Sequence, residues 1–150
     1  MSKRLPCLAL FSALLFSGMV QAQVQASQAW ARATVAQQKA TGVFLTLTAA
    51  KDARLVELSS PVAGIAEVHE MVMDGSTMKM RALPVLALQA GKPVELKPGG
   101  LHLMLMDLKR PIAAGDLVPL SLVFEDAARQ RQTLELQVPA RQLGTMPAVH

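Results

Sequence analysis

After residue 30 no stretch of this chain sustains a helical period for long, and short runs of alternating apolar and polar residues take its place. In KATGVFLTLTA (39–49), Val43, Leu45 and Leu47 share one face and Phe44, Thr46 and Thr48 the other. Similar runs follow at 54–60, 66–73, 77–83, 92–98, 101–108, 117–125 and 131–138, and AWARAT (29–34) reads as an additional first strand. Asp74-Gly75 predicts a hairpin turn and Pro98-Gly99-Gly100 a tighter reversal. Pro119, inside an apolar run, calls for a sheet edge or a bulge. Eight or nine short strands at this spacing predict an all-β antiparallel sandwich or barrel, with no linker and no repeat. The tail at 142–150 reads as loosely held.

The first residues read differently. Lys3 and Arg4 precede a nearly continuous apolar run from Leu5 to Val20, and Val20-Gln21-Ala22 supplies small residues before a cut. This is the layout of a secretory signal peptide, residues 1–22, with cleavage after Ala22 or alternatively Ala26. The run is short for a membrane span and contains Pro6 and Gly18, so no stable membrane insertion is expected after cleavage. Cys7, the only cysteine, lies at the start of the apolar run, whereas a lipidated cysteine would follow it. Residues 23–150 then form a single domain with a core at about 29–138, free of disulfides and thiolate ligands. Without Lys3 and Arg4, thirteen basic residues face eleven acidic ones, a net of +2. Such a weak charge, with one Trp and four Phe, argues against nucleic-acid binding.

What stands out chemically lies between His69 and Met106. It holds two of the three histidines and six of the nine methionines: Met71, Met73, Met78, Met80, Met104 and Met106. Strand geometry puts His102, Met104 and Met106 on one face and Leu101, Leu103 and Leu105 on the other. His69, Met71 and Met73 share a face in the same way. A two-residue turn at Asp74-Gly75 would pair residues whose numbers sum to 149, setting His69 against Met80 and Met71 against Met78. A four-residue turn, Asp74 to Thr77, would give 151, setting Met71 against Met80 with His69 diagonal to it. The sequence leaves both registers open.

Taken singly, each Met reads as core filler and each His as a hydrogen-bonded packing residue. Their clustering opposite an already apolar face argues for a soft-metal site. Zinc has little use for thioethers. A blue-copper centre needs a cysteine, and covalent haem needs Cys-x-x-Cys-His. Noncovalent His/Met haem would lack aromatic lining here. Cu(I) is the remaining candidate.

The spacing His69-x10-Met80-x21-His102-x-Met104 resembles the signature of the periplasmic copper chaperones called PCuAC. AWARAT, HEMVMDGSTMKMR, ELKPGGLHLMLMDLK and the following Gly-Asp are similar to that family too, and the likeness spans about 29–138. It implies a Greek-key, cupredoxin-like fold and Cu(I) held by His69, Met80, His102 and Met104, with Met71, Met78 and Met106 as rim or alternate ligands. It further implies a periplasmic, non-enzymatic carrier for the CuA centre of cytochrome c oxidase. Its partner would be that CuA subunit or another copper-assembly protein. Two departures are visible: Phe44 stands where the family often has Tyr, and only Met146 and His150 remain of a tail that gives some relatives a second copper site. Gln23 as mature N-terminus lacks a His at the third position, so no amino-terminal Cu(II) site is expected. Two alternatives from other classes are a copper buffer or resistance protein without a dedicated acceptor, and a metal-free secreted β-sandwich module.

Overall fold

The structure, a computed structural model, describes residues 23–143. The expected signal peptide (1–22) and the last residues of the tail, with Met146 and His150, lie outside the described residues. The strands are β1 (Val24–Arg32), β2 (Ala40–Ala49), β3 (Ala53–Ser59), β4 (Ala63–Asp74) and β5 (Thr77–Leu83). They continue with β6 (Leu86–Leu88), β7 (Val94–Leu96), β8 (His102–Leu108), β9 (Leu117–Asp126) and β10 (Arg131–Arg141).

Alternation builds the core directly. Val43, Leu45 and Leu47 of β2, Leu103 and Leu105 of β8, and Leu120, Leu122 and Phe124 of β9 are all buried, each set spaced by two. The sheet order is β5-β4-β8-β2-β1-β10-β9-β3-β6, with β7 also paired to β2. The inner faces of β2 and β8 share one apolar core with those of β9, β3 and β6. Each fully buried leucine there contributes about 1.5–3 kcal/mol relative to exposure. Steps such as β2 to β3, β3 to β4, β5 to β6 and β8 to β9 join strands that are not neighbours in the sheet, in the Greek-key sense expected.

Several details differ from the expectation. One strand pair, β1 with β10, is parallel, within a sheet whose other strand pairs run antiparallel as expected. Alternation reports which face a residue takes and carries no information on strand direction. β1 begins at Val24, five residues before AWARAT. A register shift between Ser27 and Trp30, with Gln28 at φ 54°, resets the alternation and hides the first half of the strand from a period-two pattern. Val24 is nonetheless buried, and its backbone N–H donates to the Gln132 side chain. β6 was not expected, because three residues are too few to show a period. The β9–β10 ladder runs without a bulge through Pro119, and β3 stops pairing at Ser121. Pro119 therefore lies on a locally free edge, where its missing N–H costs no ladder bond.

Candidate metal centre

The outer face of β4, β8 and β2 is set by register. His69 on β4 lies directly opposite His102 on β8, and Glu67 opposite Met104. On its other side β8 pairs with β2, which places Gly42 opposite Met104 and Ala40 opposite Met106. The hairpin adds Met80 opposite Met71, and Met78 opposite Met73. The two imidazole centroids are 5.8 Å apart, and His69 and His102 are only 9% and 7% exposed.

The hairpin takes the second of the two registers considered. Asp74 pairs with Thr77, so the numbers sum to 151 and His69 faces Ala82, diagonal to Met80. Gly75 adopts φ 65° at the first position of the turn, which leaves Asp74 in the ladder and ion-paired to Lys79. Lys79 and Arg81 alternate with Met78 and Met80, and Arg81 pairs with Glu70. Edge strand β5 thus carries thioethers on one side and charge on the other, a common protection against edge pairing.

Beside His102 the face is walled by rings. A Cβ at Gly42 would come within 2.8 Å of Phe44 Cζ, so the missing side chain lets the Phe44 ring lie over the strand. Trp30 packs on Phe44 with centroids 4.6 Å apart, and the Arg32 guanidinium lies 5.9 Å from the same ring. A cleft opens here, with Arg32, Gly42, Met71, Met80, His102 and Met104 among its lining. Met106 is not in this lining; it lies two residues further along β8, opposite Ile65 and Ala40. Met73 and Met78 occupy the exposed hairpin tip. Of the expected donors, His102, Met71, Met80 and Met104 thus line one cleft, and His69 stands opposite His102 on the same face, outside that lining.

Hydrogen bonds constrain the imidazoles. Nδ1 of His102 is 2.9 Å from the Gly100 carbonyl oxygen, which can only accept, so Nδ1 donates and Nε2 carries the lone pair. His69 Nε2 is 2.9 Å from a Glu67 carboxylate oxygen. His69 Nδ1 is buried and has no partner within the protein. A buried polar atom left unpaired costs about 1–3 kcal/mol, so this atom is suited to an external ligand. Among the described residues no three His, Cys, Asp or Glu side chains form a metal-binding group by themselves. The convergent donors are imidazole and thioether, a set that suits a soft monovalent ion.

Four residues were not recognised from the sequence as contributors to the site. Glu67 was visible as Glu-x-His on one strand face, but nothing marked its contact with the ring. Arg32, and Trp30 with Phe44, approach the cleft from β1 and β2, and the order β8-β2-β1 that brings them there is a tertiary fact.

Residues 24–139 match the family described as "Putative lipoprotein LpqE-like". A "putative lipoprotein" of Leifsonia xyli subsp. xyli is 33% identical over 106 residues, 70% of this chain. The chain spans 64% of that relative's length. Among solved structures, apo-DR1885 from Deinococcus radiodurans is similar with a TM-score of 0.60 and 26% identity, covering 95% of this chain and 94% of that one. The Cu(I) form of the same protein matches with a TM-score of 0.61 at 24% identity, covering 81% and 78%. A copper-bound PCuAC domain from PmoF2 matches with a TM-score of 0.59 at 19% identity, covering 80% and 95%. The cupredoxin-like β fold expected from the motif is the fold these chains share. From its strand order, its face of paired histidines and these matches together, the chain belongs to the LpqE-like, PCuAC-related family.

Proposed function

We propose that this protein is an extracytoplasmic copper carrier that takes up one Cu(I) as cargo, held by His69, His102, Met104 and Met80. The observation that carries this is the direct His69–His102 pairing across β4 and β8, on a face whose other donors at the cleft are thioethers. Copper-bound structures of chains with the same fold support it. Met71 lines the same cleft as Met80 and serves as the alternate sulfur ligand. Met78 and Met106 form a flexible rim around the site.

The mechanism follows from charge. Two imidazoles and two thioethers bring no negative charge, so the bound site stays monovalent. An acceptor offering thiolates is softer and charged, and takes the ion by stepwise ligand exchange. The acceptor in this proposal is the CuA subunit of cytochrome c oxidase or another copper-assembly protein, and the carrier itself performs no catalysis. Residues 1–22 direct export to the periplasm and are removed, leaving residues 23–150 as the copper-binding domain.

Anaerobic Cu(I) titration with X-ray absorption tests the site: one equivalent bound through nitrogen and sulfur is expected. Binding of zinc in preference to Cu(I) would rule the assignment out. Transfer to an apo CuA domain faster than to a chelator of equal affinity supports delivery. Equal rates would mean a buffer that has no dedicated acceptor.

A further inference from the structure

The two histidines of the pair are tethered through different ring nitrogens. The Gly100 carbonyl holds His102 by Nδ1, whereas the Glu67 carboxylate holds His69 by Nε2. Glu67 is two residues from His69 on the same face of β4, opposite Met104, with its side chain partly open to solvent. A carboxylate only accepts, so the contact places the imidazole proton on Nε2 and leaves a lone pair on Nδ1. That Nδ1 is the buried atom without a partner. Metal-bound histidines commonly donate their other N–H to a carboxylate or a carbonyl, which fixes both ring orientation and tautomer. Here the two tethers are of those two kinds, one on each ring.

We infer that Glu67 is the positioning residue of the copper site, holding His69 so that it binds Cu(I) through Nδ1 while His102 binds through Nε2. The inference rests on the copper reading above and adds the donor atoms and the residue that selects one of them. Glu67 does not touch the ion. It acts through the ring by holding the proton on the far nitrogen. It also places a negative charge next to a site whose ligands are neutral, which favours cation binding.

Long-range proton–nitrogen NMR of the 15N-labelled protein, before and after one equivalent of Cu(I), reads both rings without any substitution. The expected result is a His69 that keeps its proton on Nε2 throughout, with the copper-induced shift on Nδ1, and the reverse for His102. Glu67→Ala should mix the His69 tautomers and weaken Cu(I) binding about 10- to 100-fold, the usual cost of losing such a partner. Glu67→Gln, whose amide oxygen accepts the same N–H, should restore the tautomer and much of the affinity. Glu70→Ala, which removes a like charge that is paired to Arg81, should leave both unchanged. Copper bound to His69 through Nε2, with Glu67 released, would overturn the inference and leave the copper reading intact. Failure of the unaltered protein to bind Cu(I) at all would overturn both.

Discussion

β8 has two faces that differ in every respect that matters. Leu103 and Leu105 point inward and are 0% exposed, in the core shared with β2, β9 and β3. His102 and Met104 point outward into a cleft beside Gly42 and the Phe44 ring. One strand therefore separates stability from function by the period of two, with adjacent residues contributing to different properties. The outward face can hold awkward polar atoms because the inward face already supplies the burial energy.

Substitutions on the two faces test that separation. Leu105→Ala should have the largest effect, a loss of about 2–5 kcal/mol in chemical denaturation, since its neighbours cannot fully close the cavity. The fraction still folded should bind Cu(I) as before. A comparable loss of copper affinity would mean that the two faces are coupled. Outward, His102→Ala or Met104→Ala should weaken Cu(I) binding at least about 100-fold, the upper end of what even an indirect partner costs. Each should destabilise the apo protein less than Leu105→Ala. Met73→Ala, at the exposed tip, should leave affinity nearly unchanged.

Gly42→Val probes the boundary between the faces. The new side chain meets the Phe44 ring, which Trp30 backs, so overpacking should cost about 1–3 kcal/mol and shift Trp30 fluorescence. Unchanged stability would show that the ring wall yields freely. The smallest effect should come from a site remote from both faces. The Ala113 N–H, then Arg110, hold the Asp116 carboxyl below its usual range. Its folded pKa is depressed, so the stabilisation is present above the unfolded value of 3.8 and disappears as pH falls through the lower folded one. Asp116→Ala should lower the melting temperature slightly at neutral pH, and the difference should vanish in that acid window. A difference that grows with acidity would contradict the sign.

Much of the molecule is local enough to be read along the chain. The alternation of Val43, Leu45 and Leu47, of Leu103 and Leu105, and of Leu120, Leu122 and Phe124 determines which side chains are buried, because a strand turns successive residues to opposite faces whatever it pairs with. The same rule puts His102 with Met104, and His69 with Met71, before any neighbour is known. The tertiary structure decided the rest. That His69 meets His102, that β1 runs parallel to β10, and that Phe44 and Arg32 flank the cleft all depend on which strands become neighbours and in what register. Those choices are made by the packing of distant segments around one core, and no local pattern encodes them. The hairpin lies between these cases. Asp74-Gly75 announced a turn, and the register was settled by Gly75, which takes the positive φ at the first turn position and keeps Asp74 in the ladder.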